Sequence, residues 1–256
     1  MAINKKLIHF KNKTDFDKEV ANKNILDRSI VFIQDSKEIS THGTVYKSVN
    51  WSVLEIPELY EWVDLGLPSG LKWAAWNVGA TKPEEYGLYF AWGEIEGYTG
   101  ITDEKGFDWS DYKWCNGTDT TLTKYNTNSS FGTVDNLTTL EQVDDAAYVS
   151  DNTCRMPTKA DFEELIDNTT NTWETLNGVN GRRFTSKTNG NSIFVPAVGT
   201  CNFGSVYSAG SQGLYWSNSL IEENASGSWY LDITSSEVFM DGNGRNGGLS
   251  VRAIKS

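Results

Sequence analysis

Histidine is nearly missing from this chain: His9 and His42 are the two it has, both within the first fifty residues. Everything after them therefore lacks a Ser-His-Asp or Cys-His arrangement, and a histidine-based zinc site fails for the same reason. Cysteine is scarce as well. Cys115, Cys154 and Cys201 stand far apart, odd in number, without a Cys-x-x-Cys pair. Neither a disulfide framework nor a thiolate zinc site is expected, and three reduced thiols are. Positive charge is also short, with 22 Lys and Arg against 34 Asp and Glu, a net of -12. No basic stripe exists to displace counterions from phosphate, so no nucleic-acid partner is expected. A run of roughly 18 apolar residues, the minimum for a spanning helix, is absent, so no membrane insertion is expected. Met1 to Lys13 carries lysines but not the apolar core of a signal peptide, and export by that route is not expected either.

What is present is a globular composition, 38% hydrophobic and 12% aromatic with ten Trp, spread over 256 residues. That is enough for one large domain beside a small one. Residues 1–55 read as a β-α-β-β unit. Leu7 to Phe10 is a strand, Thr14 and Asp17 open a helix carrying Phe16 and Val20, Ser29 to Ile33 is a strand, and Glu38 to Tyr46 returns as another. About fifty residues bury little core, so this unit needs a neighbour or further copies of itself.

The second part, residues 62–256, is rich in Trp, Gly, Asn and Thr. Val63 to Ala74 reads as two strands around a Pro-Ser-Gly turn, and residues 100–136 as a long ordered insertion. Helices are expected from Leu140 to Val149 and from the Thr158-x-x-Asp161 cap, the latter with Phe162, Leu165 and Ile166 inward. Short strands follow at Arg183 to Ser186, Ser192 to Pro196, Tyr215 to Asn218, Ser228 to Thr234, Glu237 to Asp241 and Leu249 to Ile254. Two helices among many short strands define an α+β class.

The segment Tyr215 to Arg252 sets plain polar residues on an apolar frame. Strand alternation puts Trp229, Leu231 and Ile233 on one face with Tyr230, Asp232 and Thr234 on the other. After the Ser235-Ser236 turn, Val238 and Met240 oppose Glu237, Phe239 and Asp241. The glycines of Gly242 to Gly248 are expected to permit unusual backbone angles. Inward packing of the apolar set leaves Tyr230, Asp232, Thr234, Glu237, Phe239, Asp241, Asn243, Arg245 and Asn246 as candidate ligand-binding residues. One exposed aromatic among short hydrogen-bonding groups suits a sugar or a protein epitope. The plain alternative is a solvated hairpin with a flexible loop.

Chemistry beyond binding has few carriers. Glu94 with Glu96, or Asp108 with Asp111, is conceivable as a glycosidase pair, though surface solvation is the simpler role. Asp241-x-Asn243 begins like a calcium loop, but Arg245 takes the next ligand position and Arg252 that of the closing Glu. No catalytic residue, metal or cofactor is expected.

Five blocks carry a family resemblance: VDLGLPSGLKWA (Val63 to Ala74), CRMPTKADFEELI (Cys154 to Ile166), FVPAVG (Phe194 to Gly199), GLYWSNS (Gly213 to Ser219) and GLSVRAI (Gly248 to Ile254). Together, over residues 62–256, they resemble the C-type-lectin-like proteins of gut Bacteroidota and their phages, related to the Fibrobacter major paralogous domain. The resemblance implies a C-type-lectin-like domain with two helices, short antiparallel strands and long loops, acting as a ligand-binding module. Some members are variable proteins of diversity-generating retroelements, altered in this same C-terminal stretch. The reactive cysteine pair of the formylglycine-generating relatives is not reproduced by Cys115, Cys154 and Cys201. SIVFIQDSKEISTHG (Ser29 to Gly43) is similar to N-terminal segments of phage tail and fibre proteins. The combination implies a virion protein that binds a host cell-surface glycan or protein. Residues 1–55 would attach it to other virion proteins, as a homo-oligomer and conceivably a trimer. The alternative is a bacterial surface or secreted adhesin, and a glycan-active enzyme ranks third.

Overall fold

The computed structural model divides the chain into two compact units, Met1–Pro57 and Glu58–Ser256. It describes residues 59–100 and 105–256, together with the backbone of four strands in the first unit. Those strands are β1 (Leu7–Phe10), β2 (Ile30–Ile33), β3 (Glu38–Thr41) and β4 (Thr44–Lys47). They form one sheet in the order β1-β2-β3-β4, parallel at β1/β2 and antiparallel thereafter. The single strand expected from Glu38 to Tyr46 is two, because Thr41 pairs with Thr44 across His42 and Gly43. The helix expected after Thr14 lies outside the described residues.

In the second unit the elements run β5 (Trp62–Asp64), β6 (Lys72–Asn77), β7 (Tyr89–Phe90), α1 (Ala146–Ser150), α2 (Lys159–Asn168), β8 (Thr169–Leu176) and β9 (Val179–Ser186). Then come β10 (Ser192–Pro196), β11 (Thr200–Asn202), β12 (Ser205–Tyr207), β13 (Gln212–Leu220), β14 (Gly227–Thr234), β15 (Val238–Gly244), β16 (Leu249–Ser250) and β17 (Arg252–Lys255). Their sheets are β15-β14-β13-β16-β7, β10-β9-β8, β17-β6-β5 and β11-β12.

These elements correct the expected class. Among the described residues strand makes up 39% and helix 11%, distributed over several small sheets with two α-helices. The fold is β-rich, and the α+β, C-type-lectin-like assignment does not hold. Much of the difference lies in the first helix. Leu140, Val143 and Ala147 have helical spacing, yet Leu140 donates its N–H to Asn218 O from an extended segment. Residues Gln142–Asp144 form one 3-10 turn, and α1 starts only where the Asp145 carboxylate accepts Ala147 N and Tyr148 N. Leu140 and Ala147 are buried, but Val143 is 66% exposed, so the three do not form one buried helical face. The second helix forms as expected. Thr158 and Asp161 make a reciprocal capping box, and Phe162 and Leu165 are buried.

The five-stranded sheet divides two cores. Along β13, Leu214 and Trp216 join one cluster with Trp92, Tyr125 and Leu249, while Tyr215 joins the other with Phe162, Leu165 and Phe184. Period-two alternation alone produces this split, because successive side chains leave opposite faces of the sheet. Two of the buried indoles have their donors satisfied, Trp92 Nε1 by Ser217 O and Trp216 Nε1 by Phe90 O, both at 2.8 Å, whereas Trp73 Nε1 is buried with no partner among the described residues. Among the described residues no helix is long and apolar enough to cross a membrane.

Candidate functional site

The candidate site is built on the β14–β15 hairpin. The two strands pair antiparallel from Gly227↔Gly244 to Ile233↔Val238. Thr234 closes the turn, accepting Glu237 N at Oγ1 and donating its own N–H to Glu237 O. One face of the hairpin carries Tyr230, Asp232 and Thr234 beside Asp241, Phe239 and Glu237. The other carries Trp229, Leu231 and Ile233 beside Gly242, Met240 and Val238.

β14 lies between β13 and β15 and is buried on both faces. Leu231 and Ile233 pack with Phe162 and Leu165 of α2, as the alternation requires. Tyr230, expected toward ligand, is only 6% exposed and sits edge-on to Trp216 with ring centroids 6.3 Å apart. Asp232 is 3% exposed. Its Oδ2 accepts Gln212 Nε2 at 2.7 Å, and Tyr230 OH stands 3.4 Å from both that oxygen and Asp241 Oδ2. The other oxygen, Oδ1, is buried with no hydrogen-bond partner among the described residues. Burial raises the Asp232 carboxyl above its ordinary range, opposed by the Gln212 and Tyr230 hydrogen bonds and reinforced by the charges of Asp241 and Glu237. The Tyr230 phenol is pushed up as well, first by burial and then by Asp232 and Asp241.

β15 is the edge of the sheet, and there the outer face stays open. Glu237, Phe239 and Asp241 are exposed, Phe239 by 37%, and Val238 and Met240 are half-buried. Glu237, Asp241 and Asp232 form no ion pair among the described residues. Thr234 and Asn243 are half-buried at the two ends of the row, and the Asn243 side chain accepts Gly244 N.

Arg245 and Asn246 depart furthest from the alternation. Arg245 is wholly buried. Its Nε donates to Tyr112 OH, Nη1 to Tyr125 O and Ala225 O, and Nη2 to Lys124 O, each at 2.9 Å. The guanidinium also lies 5.0 Å from the Trp92 ring and 5.3 Å from that of Tyr112. It pins the 105–136 insertion to the hairpin and does not face solvent. Asn246 is half-buried, donating from Nδ2 to Phe107 O. Nor do Gly242, Gly244, Gly247 or Gly248 adopt positive φ. Gly248 is small because space demands it: a Cβ there would stand 2.8 Å from Phe107 Cε1 and 2.9 Å from Cys201 O.

Three of the carboxylates considered for hydrolysis, Glu94, Asp108 and Asp111, have structural roles, and Glu96 is exposed. Glu94 is buried beside Lys105, whose Nζ is 3.1 Å from Oε2, and accepts Lys113 N at 2.8 Å. Asp111 takes the backbone N–H groups of Gly106, Phe107 and Asp108, while Asp108 takes that of Ser110. The Ser110 hydrogen bonds hold Asp108 below the usual carboxylate range. Among the described residues no three His, Cys, Asp or Glu side chains gather as metal ligands. Cys115 and Cys154 form no disulfide among the described residues, and burial pushes the Cys154 thiol up to about 12.

Sequence reading missed one part of the region. Trp229, Val238 and Met240, assigned inward, line an open cleft of about 540 Å³ together with Phe239 and against Lys159, Glu163, Ile166 and Asp167 of α2. The edge position of β15 was the missing signal, because an apolar face at an edge need not be covered. No family model matches the chain, and no curated protein or solved structure matches it either.

Proposed function

We propose that this chain is a phage structural protein of tail or fibre type, whose Glu58–Ser256 unit binds a ligand on the host cell surface. The observation that carries the reading is the open row of Glu237, at the turn, with Phe239 and Asp241 on β15, backed by a strand buried on both faces. A rigid aromatic flanked by hydrogen-bonding groups is the composition of a recognition surface, and it loses little conformational entropy on binding. The similarity of Ser29 to Gly43 to tail-protein segments supports the same reading. In this reading residues 1–55 attach to other virion proteins, the protein resides in the virion as a homo-oligomer, and it binds without catalysing.

Two measurements test it. Mass spectrometry of purified virions should contain the chain, and its absence would remove the virion assignment. Fluorescently labelled protein should stain host cells in flow cytometry, and Phe239→Ala should abolish the staining while leaving the circular dichroism spectrum and melting temperature unchanged. Undiminished staining by that variant would overturn the assignment of the site.

A further inference from the structure

The open cleft between the hairpin and α2, which Phe239 borders from the edge strand, has a chemistry of its own. Lys159 Nζ rests 3.8 Å from the centre of the Trp229 ring and 3.5 Å from Glu163 Oε1. An aromatic face with a carboxylate beside it attracts a cation, and the position already holds an ammonium group. One helical turn beyond Glu163, at i+4 on the exposed flank of α2, stands Asp167, which forms no ion pair among the described residues. Ile166, Val238 and Met240 are half-buried and give the cleft an apolar floor.

We propose that this cleft recognises the lysine or arginine side chains of a basic polypeptide segment, seating the cationic head at Glu163 and Asp167 and the methylene stem on Val238 and Met240. Long basic side chains combine an apolar stem with a charged tip, matching floor and rim together. The net charge of -12 draws such a segment in and repels an acidic one. A neutral saccharide fits less well. To stack on Trp229 it must displace the Lys159 ammonium without replacing its charge, whereas an incoming cation exchanges like for like. The proposal rests on reading this unit as a binding module and narrows the ligand to a protein.

The test uses the full chain, observed by amide chemical shifts and calorimetry. Capped trilysine and triarginine should bind and shift the amides of α2 and β15. Capped trinorleucine, with the stem but not the charge, should bind at least tenfold more weakly. The double variant Glu163→Gln, Asp167→Asn alters two exposed side chains, so it should keep the native melting temperature while losing trilysine affinity at least tenfold. Lys159→Met removes the resident competitor and should tighten trilysine binding several-fold. Equal affinity for trinorleucine, weaker binding by Lys159→Met, or shifts confined to residues outside the cleft would each overturn the proposal. Glucosamine titrating the same amides while the peptides do not would overturn it in favour of an amino sugar. Host-cell staining separates the two readings. If staining survives the double variant and trilysine does not bind, only this inference fails. If the native protein does not stain cells, the receptor-binding function fails whatever the peptides do.

Discussion

β14 and β15 are paired residue for residue, and their sequences have the same texture of aromatic, aliphatic, acidic and small side chains. Their environments are opposite. Tyr230, Leu231, Asp232 and Ile233 are all buried, whereas Glu237, Phe239 and Asp241 are exposed one strand away. The difference comes from sheet position: a central strand has both faces covered by the layers on either side, and an edge strand need not. Alternation tells which residues share a face. It does not tell whether that face is covered.

The heaviest challenge to the comparison lies at Arg245, which follows β15 in the chain but is buried like β14. Arg245→Met strips donors from three carbonyls and a hydroxyl, and should cost about 3 kcal/mol or more in a urea titration. A loss under about 1 kcal/mol would return Arg245 to the surface set. Leu231→Ala should cost about 3 kcal/mol in the same assay, from lost transfer energy plus an unfilled cavity. Gly248→Ala should cost about 1–3 kcal/mol through overpacking against Phe107 and the Cys201 backbone.

Asp232 tests β14 by pH. Its carboxyl is raised in the folded protein, so the folded state holds its proton more tightly than the unfolded chain, whose carboxyl titrates near about 3.9. This contribution is present below the unfolded value and lost as pH rises through the folded one. Stability measured from acid toward neutral pH should therefore carry a falling component that Asp232→Asn lacks; parallel profiles for the two proteins would contradict it. The smallest effect belongs to the edge. Phe239→Ala should change stability by no more than about 0.5 kcal/mol, as an exposed substitution does.

The legible parts of the sequence were those with short-range physical signatures. Ser192 to Pro196 forms a strand over the range its residues indicate, and the Thr158/Asp161 box opens α2. β8 escaped notice because TTNTWETL is polar on both faces and only its first residue is buried. Phe239 was legible as an exposed aromatic among polar groups. Arg245 was not, since a guanidinium surrounded by backbone carbonyls has no local pattern: its partners lie 20 and about 120 positions away.

The buried arginine has a consequence for how this surface can change over generations. It ties the end of the hairpin and the 105–136 insertion to the core, leaving the row 237, 239, 241 free of that duty. Substitutions at sites with no shared partners add rather than compound. Phe239 can therefore be exchanged at little risk to folding, whereas Glu237 and Asp241 both act on the buried Asp232 and are coupled through it; a lineage that must track a shifting target can alter its specificity first at 239 without acquiring compensating mutations elsewhere.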